Sequence, residues 1–252
     1  MNKFHLIMPM GGKGSRFSSL GYNLPKPIIP IYGKPFFYWA VKSITKFNDV
    51  IDITFVVLKE HIDNYSIDVE IKKDFPSAKI IVLNHVLNGP VLTCLEGIKC
   101  ISDDFPILIN DCDHLFKSSE FNNLWKNNSF SNIDGALITF KSDSPQFSYV
   151  IYENEKIVGT IEKEVLSNDA ICGAYLFKSK NQFVNLSNKY FADCKYTEYF
   201  ISGLYNVLAE NGGNIVAFNT DYHISFGTPE EYTSAKEDRH FEELDWGGYF
   251  DS

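Results

Sequence analysis

The chain of 252 residues has no long hydrophobic run, no cysteine pair and no excess of positive charge. A membrane-spanning helix needs about 18 or more consecutive apolar residues, and no segment approaches that length. The five cysteines are scattered and include no Cys-x-x-Cys pair, which favours free thiols in a reducing compartment over zinc or disulfides. The start of the chain lacks the pattern of a signal peptide. We therefore expect a cytoplasmic protein with no membrane partner.

Basic residues are outnumbered by acidic ones, 23 to 32, and the formal net charge is −9. Proteins that bind nucleic acid neutralise phosphates with a surplus of Lys and Arg, so we expect no nucleic-acid partner. A single nucleotide is not excluded, because it needs only a local positive pocket. The hydrophobic share of 44% is sufficient for one large core.

Predicted strands alternate with predicted helices through the first half of the chain. The strands are expected at residues 4–9, 51–58, 79–83 and 106–109, and the helices at 36–47, 67–75 and 91–101. This order predicts an α/β fold with a Rossmann-like, mixed but mainly parallel sheet flanked by helices. Ligands of such sheets bind beyond the carboxyl ends of the strands. The loops that follow strands are therefore the candidate site segments.

The second half of the chain is richer in strands. They are expected at residues 136–140, 149–152, 156–161 and 171–177, with helices at 199–210 and from Thr228. The polar turn at 153–155 predicts a small β-hairpin subregion on the substrate side. We divide the chain into a domain of residues 1–235 and an acidic, aromatic tail of residues 236–252. For this tail, a frayed end and a contact with a partner subunit both stay open.

A glycine-rich, cationic loop follows the first strand. It comprises Met10, Gly11, Gly12, Lys13, Gly14, Ser15 and Arg16. Glycine lets the chain turn tightly and present backbone N–H groups to phosphates, while Arg16 and Lys26 supply positive charge. The spacing matches neither the dinucleotide fingerprint nor a P-loop. The loop predicts a polyphosphate site, and the alternative is an ordinary turn.

Two carboxylates, Asp111 and Asp113, come directly after the predicted strand at 106–109. Mg²⁺ in proteins is usually held by one or two carboxylates together with phosphate oxygens. Because alternate residues point to opposite sides of an extended segment, Cys112 would face inward while both carboxylates face outward. The pair predicts a Mg²⁺ site, and the alternative is an Asp-rich turn.

The order Gly-Gly-x-Gly-x-Arg-Phe, Pro25-Lys26-Pro27 and Gly33-Lys34-Pro35 resembles the signature of the sugar-phosphate nucleotidyltransferases, also called nucleoside-diphosphate-sugar pyrophosphorylases. Gly227-Thr228-Pro229 resembles a segment that ends many such domains. The similarity therefore runs from residue 5 to about residue 235. It implies a nucleotidyltransferase fold of the GT-A-like kind.

The resemblance also implies roles for individual residues. Catalytic roles fall on Arg16, Lys26 and Asp113; metal binding on Asp113, with Asp111; nucleotide binding on residues 10–15, Asn88, Gly89 and Asp111; and acceptor binding on Glu162, Lys163, Gly173 and Tyr175. Three departures weaken the match. Glu164 replaces the usual proline after Glu-Lys, Pro90 and Val91 fit the base-reading segment poorly, and Gly203 stands where many members carry a second metal-binding Asp. Asp221 or Glu198 could replace that ligand.

The implied reaction transfers a nucleotidyl group from an NTP to a sugar 1-phosphate, or a similar small phosphate, with Mg²⁺ and release of pyrophosphate. A surface-polysaccharide pathway is the natural setting for such an enzyme. Three alternatives stay open: a cytidylyltransferase for a non-sugar phosphate, a metal-dependent glycosyltransferase of similar build, and a non-catalytic nucleotide sensor. The sequence leaves the oligomeric state open, a homo-oligomer included.

Overall fold

The computed structural model of the protein describes residues 3–126 and 130–246. The strands are β1 (Phe4–Met10), β2 (Pro30–Ile31), β3 (Lys34–Pro35), β4 (Val50–Leu58), β5 (Lys79–Leu83), β6 (Ile107–Asn110), β7 (His114–Lys117), β8 (Gly135–Lys141), β9 (Ser148–Glu153), β10 (Lys156–Glu162), β11 (Asp169–Phe177), β12 (Ile215–Asn219) and β13 (Tyr222–Ser225). The helices are α1 (Ser15–Ser18), α2 (Phe36–Thr45), α3 (Lys59–Tyr65), α4 (Ile67–Asp74), α5 (Pro90–Ile98), α6 (Ser119–Lys126), α7 (Lys180–Asp193), α8 (Gly203–Glu210), α9 (Pro229–Ala235) and α10 (His240–Trp246).

The central sheet is mixed and has the order β10-β9-β11-β6-β1-β4-β5, with β8 and β12 joined to it through β11. Strands β4, β5 and β6 run parallel to β1 or to its parallel neighbour, whereas β11 runs antiparallel to β6. The predicted hairpin is present as β9 and β10, which pair antiparallel. The predicted α/β architecture is therefore confirmed.

Both faces of the sheet are covered. Along β1, Leu6 and Met8 belong to one buried apolar cluster, and Ile7 between them belongs to the other. This alternation is the period of a strand buried on both faces, so the first strand reads as a continuous apolar run. None of the described helices has the length and apolar character that crossing a membrane would require.

Helix boundaries are decided partly by distant contacts. The predicted helix at 199–210 begins only at Gly203, because the backbone of Tyr199 pairs with a different segment. Its N–H donates to the carbonyl of Asn88, and its carbonyl accepts from the N–H of Val91. The predicted start at Thr228 is confirmed by a complete capping box, in which Thr228 and Glu231 bond each other's backbone N–H.

The tail was expected to be frayed or to contact a partner subunit, but its described part packs on its own chain. Phe241 is fully buried and lies against the rings of Tyr32 and Trp39. The amine of Lys46 donates to the carbonyl of Leu244 at 2.6 Å. Residues 247–252 of the tail lie outside the described residues.

Strand register brings the candidate loops to one edge of the sheet. Because Ile7 pairs with Ile109 in the parallel β1–β6 ladder, the loops that follow these strands leave the sheet side by side. Next to them, β11 pairs Ala174 with Asn110, which places Gly173 beside Asp111. The glycine-rich loop, the two carboxylates and β11 therefore converge at this edge.

Candidate active site

Three adjoining cavities open at this edge of the sheet, with volumes of about 380, 160 and 210 Å³. Asp111 lines all three. The largest cavity joins the two predicted halves of the site, since it is lined by Gly14, Ser15, Arg16 and Lys26 on one side and by Glu162, Lys163 and Tyr175 on the other. Met10, Gly12 and Gly14 line the 210 Å³ cavity together with Lys26 and both carboxylates.

The glycine-rich loop is held by one buried aromatic residue and one tight turn. Phe17, in α1, is 1% exposed and packs edge-on against Tyr22 and Phe36. Gly14 has a φ of 61°, and a Cβ atom there would lie 2.9 Å from the Cβ of Lys26. Only glycine allows this approach without displacing Lys26. The loop thereby brings its backbone close to the cationic side chain predicted to act with it.

Lys26 and Asp113 form an ion pair within the site. Their side chains are 24% and 22% exposed. Burial acts to lower the pKa of Lys26, but the charge of Asp113 outweighs it and the pKa is raised. Burial likewise acts to raise the pKa of Asp113, and the charge of Lys26 brings it below its usual value. Both groups are therefore charged at neutral pH.

Asp111 is in a different state. Burial, followed by the charge of Asp113, raises the pKa of the Asp111 carboxyl to about 7. Its backbone N–H donates to the carbonyl of Gly173 at 2.9 Å, but within the described part of the chain its carboxylate has no hydrogen bond or ion pair. Gly173 has a φ of 89°, and a Cβ there would lie 2.7 Å from Oδ2 of Asp111. The carboxylate is thus enclosed yet lacks a cationic partner.

Cys112 and His114 have structural roles, as the sequence indicated. Cys112 is 8% exposed and belongs to the apolar core. His114 is 3% exposed, and its Nε2 lies 2.9 Å from Oδ1 of Asn110. All five cysteines are free thiols.

The opposite side of the large cavity holds Glu162 and Lys163. Lys163 has a φ of 56°, a conformation that non-glycine residues adopt mainly under constraint. Its N–H donates to the carbonyl of Phe147 at 3.0 Å, and its Nζ lies 5.2 Å from the ring centroid of Phe200. The backbone is therefore strained at a residue predicted to hold the acceptor.

Three predicted nucleotide ligands lie at the margin or outside these cavities. Lys13 and Asn88 are exposed and do not line any of the three. Gly89 precedes α5 and packs against the backbone of Tyr199, while the following Pro90 lines the large cavity.

The segment where a second metal-binding Asp was sought is packed against another helix. A Cβ on Gly203 would lie 2.3 Å from the hydroxyl of Tyr190. Of the two substitutes considered, Glu198 lines the large cavity. Asp221 instead bonds Ser119 and pairs with Lys117.

Sequence reasoning missed several residues that line the cavity or bond its side chains, namely Gln146, Ser148, Phe200 and Ser202. A signal existed for one of them. Ser148 is the direct cross-strand partner of Glu162 in the hairpin, and its hydroxyl donates to the Glu162 carboxylate. Extending the predicted hairpin by one residue at each outer end would have paired them.

A family model described as "Nucleotidyl transferase" matches residues 5–241, so the chain belongs to the nucleotidyl transferase family. The resemblance seen in the sequence is thereby confirmed at the level of the family. The 2-C-methyl-D-erythritol 4-phosphate cytidylyltransferase of Clostridium perfringens is 31% identical over 120 residues, 48% of this chain and 51% of the relative. The bifunctional protein GlmU of Nitratiruptor sp. is 23% identical over 221 residues, 84% of this chain and 48% of GlmU. The chain thus spans about half the length of these curated relatives.

Solved structures share the fold. A nucleoside-diphosphate-sugar pyrophosphorylase from Vibrio cholerae matches with a TM-score of 0.79 and 23% identity, over 92% of this chain and 100% of that one. The inositol-1-phosphate CTP transferase from T. maritima matches with a TM-score of 0.75 and 16% identity, over 96% and 94% of the two chains. The sheet with its flanking helices is therefore the nucleotidyltransferase fold.

Proposed function

We propose that the protein transfers a nucleotidyl group from an NTP to a sugar 1-phosphate and releases pyrophosphate. The observation that carries this proposal is the distribution of charge in one cavity. Arg16 and Lys26 stand on the side of the glycine-rich loop, Lys163 stands on the opposite side, and Asp111 lies in the wall they share. Such a cavity suits two phosphorylated substrates that meet at a metal-binding carboxylate.

Asp111 and Asp113 would hold Mg²⁺. Oxygen donors suit this ion, and Asp111 offers an enclosed carboxylate whose pKa is raised to about 7 in the absence of a cationic partner. Among the described residues, no three metal-ligating side chains already surround one point, so phosphate oxygens would complete the shell. When bound, the ion would neutralise phosphate charge and hold the reacting phosphates together.

The side chains would act by position and charge. A phosphate monoester is already a nucleophile at neutral pH, so the acceptor oxygen attacks the α-phosphorus without a general base. Arg16 would stabilise charge on the leaving pyrophosphate, Lys26 would act at the α-phosphate, and Lys163 would hold the acceptor phosphate. Loss of one such group typically removes about 3 kcal/mol of transition-state stabilisation, roughly 10²-fold in rate.

A second candidate is cytidylyl transfer to a non-sugar phosphate. It is favoured by the 31% identity over 120 residues to the cytidylyltransferase of Clostridium perfringens. The same cavity and the same three cations would serve it, because only the body of the acceptor changes. Glu164 in place of the usual proline after Glu-Lys agrees with an altered acceptor side.

The test is pyrophosphate release with Mg²⁺ from each of CTP, UTP, dTTP, GTP and ATP against a panel of acceptors. The panel contains glucose 1-phosphate, N-acetylglucosamine 1-phosphate, mannose 1-phosphate, inositol 1-phosphate and 2-C-methyl-D-erythritol 4-phosphate. Release that requires one NTP and one sugar 1-phosphate supports the proposal, and release only with a non-sugar acceptor supports the second candidate. Binding of a nucleotide-sugar without any release would point to a glycosyltransferase or a sensor.

Two variants test the residues. Arg16→Ala and Lys26→Ala are expected to lose about 10²-fold or more in kcat while retaining the melting temperature to within a few degrees. Arg239→Ala is the matched control, because Arg239 is the other arginine of the chain, is exposed and lies outside the cavities. Full activity of both cavity variants would contradict the proposed mechanism.

A further inference from the structure

The Glu162 carboxylate is held at one of its two oxygens. The hydroxyls of Ser148 and Ser202 both donate to Oε1. A carboxylate oxygen has two lone-pair sites, so these two donors satisfy Oε1. Oε2 has no hydrogen bond or ion pair with any residue that the structure describes. A side chain that lines the large cavity is therefore oriented with one acceptor atom still free.

Ser202 is placed where a serine ordinarily serves its own helix. It occupies the N-cap position of α8, where a serine hydroxyl usually accepts from a backbone N–H of the first turn. Here the hydroxyl makes no cap and donates to Glu162 instead. The side chain is 1% exposed, so water is not the competing partner. Departures from a local structural rule of this kind concentrate at functional sites.

The rest of the neighbourhood fixes Ser202 relative to Glu162. The hydroxyl of Thr160, in the same strand as Glu162, donates to the carbonyl of Ser202 at 2.7 Å. The N–H of Thr160 donates to Oδ1 of Asn206 at 2.6 Å, and the N–H of Glu162 donates to the hydroxyl of Tyr196 at 3.2 Å. Strand β10 and the start of α8 thus form one rigid support, as a preorganised binding group requires.

We infer that Ser202, together with Ser148, is a positioning residue for acceptor recognition, which holds Glu162 so that Oε2 accepts a hydrogen bond from the acceptor. This inference rests on the proposed function. It also specifies the acceptor class: a phosphorylated small molecule with an O–H or N–H donor close to its phosphate, because Lys163 follows Glu162 directly in the chain.

The experiment measures KM for both substrates in Ser202→Ala. Its probe is the panel acceptor and NTP that give the fastest pyrophosphate release. We expect KM for the acceptor to rise about tenfold, the factor that corresponds to about 1.4 kcal/mol, while KM for the NTP stays unchanged. Ser187→Ala is the matched control, because Ser187 is fully buried and its hydroxyl bonds the carbonyl of Phe183 within α7. It should leave both KM values unchanged.

A double-mutant cycle separates positioning from a structural role. In the Glu162→Ala background, Ser202→Ala should change acceptor affinity no further, as read by KM or by calorimetric titration of the same acceptor. If Ser202→Ala does not fold, Ser148→Ala makes the same test from the strand side. An unchanged acceptor KM, an equal rise in both KM values, or an effect that persists without Glu162 would overturn the inference while leaving the proposed function intact. Absence of pyrophosphate release from the wild-type protein with every pair would overturn both.

Discussion

Replacement of Asp111 by Asn should make the metal-free protein more stable and at the same time inactive. Folded Asp111 keeps its proton up to about pH 7, whereas the usual value is 3.8. Because the folded state binds this proton more tightly than the unfolded state, stability falls as the pH rises from about 4 to 7. Asn removes the charge with little change of volume and so removes this loss.

The size of the effect follows from the shift. A change from 3.8 to about 7 corresponds to at most about 4 kcal/mol, at about 1.4 kcal/mol for each pKa unit. Asp111 is only partly buried, so solvent screening reduces this, and we expect about 2 kcal/mol. For a chain of this length, about 2 kcal/mol raises the melting temperature by roughly 4–8 °C.

The assay is thermal unfolding of the wild-type protein and Asp111→Asn in EDTA at pH 4 and pH 8. The gain in melting temperature should be present at pH 8 and absent at pH 4. Added Mg²⁺ at pH 8 should stabilise the wild-type protein but not the variant. A variant less stable than the wild type at pH 8, or a gain of equal size at both pH values, would refute the reasoning about the buried charge.

Two further predictions concern positions on either side of this carboxylate. Gly173→Ala should reduce kcat by tenfold or more, because the new Cβ would lie 2.7 Å from Oδ2 of Asp111; the loss of stability, from a φ of 89°, should be about 1–3 kcal/mol by urea unfolding. Unaltered turnover would show that Asp111 need not keep this position. His5 has its ring nitrogens 2.6 and 2.8 Å from carboxylate oxygens of Asp52 and Asp103; burial acts to lower its pKa, but these hydrogen bonds raise it overall. The stability it contributes is complete below its unfolded pKa of about 6.5 and is lost as the pH rises through the folded value, so His5→Gln should destabilise the protein by about 1 kcal/mol more at pH 5.5 than at pH 9; an equal loss at both pH values would contradict a protonated ring.

Local sequence patterns predicted those elements whose cause is local. The strand at 79–83 is found with the same bounds, because a short apolar run identifies it. The helix that begins after Thr228 is found with its capping box, because cap, proline and glutamate lie within four residues. The start of α8 was predicted four residues early, because the pairing of Tyr199 with Asn88 and Val91 joins segments far apart in sequence.

The glycine-rich loop, its cations and the paired carboxylates could be recognised in the sequence, because each is a short segment whose chemistry depends on residue type and spacing. Their state could not. Lys26 pairs with Asp113 across 87 residues, and this contact decides that Asp113 is neutralised while Asp111 is left enclosed and without a partner. Glu162 depends in the same way on Ser202, 40 residues away. The sequence alone determined which groups enter the site, whereas the tertiary structure decided which of them are paired, because pairing and burial depend on how distant segments pack together.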